Sequence, residues 1–195
     1  PNNILTGNTI YGSGDTGIRI HSSSDGNTIS SNTLDNNGIG CSGSDYNTIT
    51  GNTISNVVGT SSMSLGTCDN NTISNNQITN NNQGIEIQVS DGNTLDSNTI
   101  SNNDGNGIRL LVGTGNVLTN NIVNDNSGYG FLIESNSAPD TFTGNTASGN
   151  SLGDSEGGET YWFDTTPPVV TVPADMTVSA STAGTQTITF VASWF

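Results

Sequence analysis

Asn27-Thr28-Ile29-Ser30-Ser31-Asn32-Thr33-Leu34 is one copy of a doublet, Asn-x-Ile-x-x-Asn-x-Ile, that returns along most of this 195-residue chain. The first Asn falls at Asn3, Asn27, Asn47, Asn71, Asn93 and Asn116, with Asp140 in a seventh copy. The second falls at Asn8, Asn32, Asn52, Asn76, Asn98, Asn121 and Asn145, always five positions later. From copy to copy the step is 24, 20, 24, 22, 23 and 24 residues. A period of that length with a fixed inner spacing marks a solenoid, each repeat forming one rung of a stack.

A third apolar segment precedes each doublet: Gly17-Ile18-Arg19-Ile20, Gly38-Ile39-Gly40-Cys41, Gly84-Ile85-Glu86-Ile87, Gly107-Ile108-Arg109-Leu110 and Gly130-Phe131-Leu132-Ile133, with Met63-Ser64-Leu65 a looser copy. Apolar residues alternate with others, the two-residue period of a strand. The density of Gly and Asn disfavours helix. Three short strands per rung make an all-β, right-handed parallel β-helix of about seven rungs. Three interior ladders result: Leu5-Ile29-Ile49-Ile73-Leu95-Leu118-Phe142, Ile10-Leu34-Ile54-Ile78-Ile100-Val123-Ala147, and Ile20-Cys41-Leu65-Ile87-Leu110-Ile133. The doublet Asn residues are expected at turns, in left-handed backbone, with their amides stacked as ladders.

Two Lys and Arg against 17 Asp and Glu give a net charge of −15. Such a chain repels nucleic-acid phosphate and anionic lipid, so nucleic acid and membrane insertion are set aside as partners. No stretch has the length of a membrane-spanning helix. The chain opens at Pro1, inside a rung and without an initiator Met, and is expected to be processed or excerpted, and extracellular or at the cell surface. Cys41 replaces an interior Ile or Leu and reads as a buried thiol. Cys68 lies on the next rung but three positions further along, which argues against a bridge.

The repeat resembles the NosD-like and pectate-lyase-like β-helix superfamily over residues 1–150, on Asn27 to Leu34 and its copies. Glu159-Thr160-Tyr161-Trp162-Phe163-Asp164 is similar to the Tyr-Trp motif that closes such repeats, so 151–164 read as a linker or cap. Asp164-Thr165-Thr166-Pro167-Pro168-Val169-Val170-Thr171-Val172-Pro173-Ala174-Asp175-Met176-Thr177-Val178 resembles the start of a HYR (hyalin repeat) domain. Residues 165–195 are therefore expected to form a partial immunoglobulin-like β segment at the C-terminus, too short for a whole sandwich.

The resemblance implies that an enzyme of this superfamily would need a basic or acid–base group beside carboxylates. The chain offers Arg19, Arg109 and His21. Both arginines hold the same rung position, about 19 Å apart at four rungs of ~4.8 Å. Tyr129-Gly130-Phe131 is similar to the start of an alginate-epimerase motif, but Leu132-Ile133-Glu134 stands where Asp-Pro-His would come next. On these grounds no catalytic residue is expected, and the chain reads as a structural or adhesive protein. Its terminal strand-like segment suggests self-association by head-to-tail contact or strand addition, as in a filament. The alternative is a polysaccharide-binding or polysaccharide-modifying (lyase- or epimerase-like) β-helix, for which glycans are the partners. Against a sugar platform, Tyr11, Tyr46 and Tyr129 are scattered over distant rungs. Asn70-Asn71-Thr72 is one glycosylation sequon.

Asp25, Asp45, Asp69 and Asp91 stand two residues before the first Asn on four consecutive rungs. Like charges at strand spacing repel. The row is read either as a set of Asx-turns, as in Ser24-Asp25-Gly26-Asn27, or as a Ca²⁺-binding ladder.

Overall fold

The computed structural model describes residues 2–134, 137 and 141–156. Every paired strand runs parallel to its neighbours, and no helix occurs among the described residues. The first strands of the rungs (Ile4–Thr6, Thr28–Ser30, Thr48–Thr50, Thr72–Ser74, Thr94–Asp96, Val117–Thr119, Thr141–Thr143) form a seven-stranded sheet in that order. Second and third strands join in one larger sheet, because Thr33–Ser42 runs through both positions and pairs on either side. The chain is a parallel β-solenoid. The aromatic run at 159–164, the seventh-copy Asp140 and the segment 165–195 lie outside the described residues.

All three interior ladders form in the expected register, from Leu5 beside Ile29 to Leu118 beside Phe142, and likewise in the other two. A fourth runs Ile18, Ile39, Met63, Ile85, Ile108, Phe131. Each central rung thus buries four apolar side chains, each contributing roughly 1.5–3 kcal/mol. Phe142 closes edge-on against Phe131, with ring centroids 5.1 Å apart.

At the corners the Asn ladders are inward-facing and buried. Asn32, Asn52, Asn76, Asn98 and Asn121 each accept from the main-chain N–H and the side-chain amide of the Asn one rung before. The Asn27–Asn116 ladder repeats the pattern. A third, not read from the sequence, stacks Asn81, Asn103, Asn126 and Asn150, with Val57 N–H donating in at one end and Asp154 accepting at the other.

Left-handed backbone is present at these corners, but one residue earlier than expected. It falls on Ser31, Asn75, Ser97 and Asn120 before one ladder, and on Tyr46 and Asn70 before another. The ladder Asn must extend its amide into the stack, so the preceding residue makes the bend. One such bend is costly. Val89, a β-branched residue, sits at φ 49° with its side chain largely exposed. Gly43 and Gly113 occupy the equivalent corner on other rungs, as does Thr67, whose φ is 53°. Val89→Asn is therefore expected to raise stability by about 1 kcal/mol, since left-handed backbone costs an ordinary residue about 1–2 kcal/mol and Asn less. A melting curve checks it; a lower melting temperature than wild type would count against that strain.

The sequence reading of the cysteines is corrected. Cys41 and Cys68 form a disulfide with Cα atoms 6.4 Å apart. Three positions along a straight strand would carry Cys68 about 10 Å from the register partner of Cys41. Left-handed Thr67 instead turns the chain back, so that Cys68 points inward where Ser44 and Ser90 sit on adjacent rungs. The bridge closes a separation of 27 residues. Replacing both cysteines by Ala is expected to cost about 2–4 kcal/mol, and reductant to mimic it, in denaturant unfolding. Equal stability in all three samples would show the bridge to be dispensable.

Candidate functional site

The outer face of the third-strand region differs chemically from the others. On the doublet strands the outward positions are mostly Thr and Ser, such as Thr28 and Ser30 or Thr48 and Thr50. All the Arg and His residues of the chain lie on third strands. One outward column runs Arg19, Gly40, Ser64, Glu86, Arg109, Leu132, so the two arginines are four rungs apart, as read from the sequence. The next runs His21, Ser42, Gly66, Gln88, Val112.

An open trough of about 480 Å³ lies over the first of these rungs, lined by Asp15, Thr16, Arg19, His21, Gly40, Cys41, Ser42, Thr60 and Ser64. Its size is that of ordinary small-ligand pockets. Asp15 and Thr16 reach it because the strand Thr9–His21 slips register between Tyr11 and Asp15 and again between Thr16 and Ile18. Thr16 Oγ1 donates to Asp15 Oδ1 at 3.3 Å. His21 Nδ1 lies 2.6 Å from Ser22 Oγ, which orients the imidazole. The structure brings Asp15, and through the same bulge Thr16, to the trough that Arg19 and His21 line.

Arg19 and Arg109 have different surroundings. Arg109 is bracketed by Glu86 (3.4 Å) and Glu134 (2.7 Å), so its charge is locally cancelled. Arg19 makes no ion pair among the described residues, in a chain of net charge −15. Among the described residues it is the arginine open to an incoming anion.

In the acidic row the carboxylates bond from rung to rung, which differs from the local bonds of the Asx-turns read from the sequence. Asp25 accepts the main-chain N–H of Asp45 at 2.8 Å, Asp45 that of Asp69 at 2.8 Å, Asp69 that of Asp91 at 2.8 Å, and Asp91 that of Thr114 at 2.7 Å. Each bond offsets repulsion along the row, because a carboxylate gains from a donated N–H. Among the described residues, no three His, Cys, Asp or Glu side chains converge as a metal site. Elsewhere, Asp96 accepts from Thr119, Asn120 and Ser97, and these bonds hold its carboxyl below the ordinary carboxylate range.

The family model described as "Right handed beta helix region" matches residues 26–171. No curated protein compared with the chain matches it. Among solved structures, the enzymatically active domain of bacteriophage CBA120 tailspike protein 2 is similar at 15% identity and a TM-score of 0.40, over 79% of this chain and 24% of that one. The A-module of Azotobacter vinelandii mannuronan C-5 epimerase AlgE6 is similar at 15% identity and a TM-score of 0.43, over 80% of this chain and 58% of that one. The chain thus spans about a quarter of the first and somewhat over half of the second. The expectation of a non-catalytic protein is not kept: both structures are named as enzymes or enzymatic domains. At such identity the likeness is one of fold, and neither activity passes to this chain through it.

Proposed function

The chain belongs to the right handed beta helix family, and on that scaffold we propose that it binds and modifies an acidic polysaccharide in the trough on its third-strand face. The observation that carries this reading is the meeting of Asp15, Arg19 and His21 in one open, polar cavity. An unpaired guanidinium is suited to a uronate carboxylate, which it meets with two parallel hydrogen bonds. An imidazole beside it can take or give a proton. Thr16, Ser42, Thr60 and Ser64 supply hydroxyls for sugar hydroxyls.

In the chemistry such a set can perform, His21 removes the proton on the carbon next to the uronate carboxylate. The electron pair moves into the carboxylate, where Arg19 stabilises the added charge. Return of a proton from water on the other face gives the epimer, and His21 releases the proton it took to solvent. Expulsion of the neighbouring glycosidic oxygen, which takes the proton from the His21 imidazolium as it leaves, gives chain cleavage instead. The Cys41–Cys68 bridge supports an oxidising, extracellular setting for this work.

Uronate-rich glycans incubated with the 195-residue chain test the reading. Cleavage or epimerisation is expected, lost by about 100-fold or more in His21→Ala, the range of general acid–base catalysis. Arg19→Ala should weaken both binding and turnover. Turnover that survives both substitutions would overturn the assignment to this trough.

A further inference from the structure

We infer, resting on the polysaccharide reading above, that the trough runs on past its Ser64 edge as a box two rungs wide, which takes a disaccharide-length stretch of acidic glycan in one direction. The carboxylate end lies at Arg19 and a sugar hydroxyl donates to Glu86 at the far end.

The register defines the box. Along the two outward columns, one rung presents Arg19 and His21, the next Gly40 and Ser42, the next Ser64 and Gly66, and the next Glu86 and Gln88. Small residues fill both columns on the middle two rungs alone. Large polar side chains stand before and after them. Three rung steps of ~4.8 Å separate Arg19 from Glu86, about 14 Å between main chains. Side chains at both ends shorten that span to about the length of two linked sugars.

Gly40 and Gly66 carry the argument that the space is kept for an occupant. Among the glycines whose surroundings are described, these two have neither a positive φ nor a neighbour within 3.0 Å of an added Cβ. A Cβ at Gly66 would meet nothing within 4 Å, and one at Gly40 only the Thr16 side chain, at 3.1 Å. Gly38, Gly84, Gly107 and Gly130, by contrast, are held to glycine by close main-chain oxygens. Backbone geometry and packing therefore leave Gly66 free to vary and require at Gly40 that the Thr16 side chain give way slightly, and what a larger residue there would change is the room above them.

The two ends differ in sign, which sets direction. Arg19 has no carboxylate partner among the described residues. At the other end Glu86 is fixed by Arg109, which makes Arg109 a positioning residue. A Glu so held keeps its second oxygen for a donor, which a sugar hydroxyl supplies.

Calorimetric titration of the 195-residue chain tests this with galacturonate, its di- and tetrasaccharides, and the carboxyl-reduced disaccharide. The disaccharide is expected to bind as tightly as the tetrasaccharide, and the monosaccharide and the reduced disaccharide at least tenfold more weakly. Gly40→Leu and Gly66→Leu should each abolish binding, Gly66→Leu with the melting temperature unchanged. Glu86→Gln should weaken the disaccharide about tenfold, the value of one charge-assisted hydrogen bond. Affinity that climbs with every added sugar, or binding retained in both Leu variants, would overturn the box and leave the polysaccharide reading intact. Failure of the wild-type chain to bind any of the uronates would overturn both.

Discussion

Asn76→Ala is expected to destabilise the protein by about 3–5 kcal/mol, although the residue does not line the trough. Asn76 Oδ1 accepts from the Asn52 main-chain N–H and side-chain amide, both at 3.0 Å. Its own amide donates to Asn98 Oδ1 and to the Ile49 carbonyl, again at 3.0 Å. Alanine removes all four bonds and strands the buried Asn52 N–H, for which burial without a partner costs about 1–3 kcal/mol. Asn75 next to it is exposed and left-handed at φ 55°, so Asn75→Gly should change stability by no more than about 0.5 kcal/mol. Urea unfolding of the two variants separates the roles. A small loss for Asn76→Ala would mean that the ladders accompany the fold without holding it.

Ile73→Asp should be more severe, costing more than about 4 kcal/mol and in practice preventing folding. Ile73 is fully buried in an apolar ladder between Ile49 and Leu95, where a carboxylate would be desolvated. Thr72, one residue earlier, is exposed, and Thr72→Asp should cost less than about 1 kcal/mol. Circular dichroism and melting of both proteins give the comparison. Equal effects would mean that the strand faces are displaced by one residue, since a one-residue slip exchanges inside for outside.

The fold was legible because its stabilising residues repeat in sequence. A doublet with inner spacing five fixes a strand and a corner together, and one apolar ladder then implies the next. The third Asn ladder escaped notice for the same reason in reverse. It is complete only from Asn81 onward, and Val57 stands in that column on the rung before. The disulfide depends on the turn at Thr67, which a count of positions along a strand does not contain.

The trough was half legible. Arg19 and His21 stood out as two of the chain's three basic or imidazole side chains. Gly40, Ser42, Ser64 and Gly66 looked like spacing residues, because their meaning lies in their lateral neighbours and not in their own segment. Asp15 and Thr16 enter through register slips that no periodic pattern announces. Laying successive rungs side by side and reading down each outward column was the signal available. The Asp25 to Asp91 row was the feature most easily seen, and its carboxylates accept main-chain N–H groups from rung to rung.

A crystal structure of the chain with a galacturonate oligosaccharide tests the central claim most directly. The account expects sugar density over Gly40 and Ser64, with a carboxylate in two-bond contact with the Arg19 guanidinium and His21 within hydrogen-bond reach of the adjacent carbon. Density along the Thr and Ser columns of the doublet strands, with the trough empty, would contradict it.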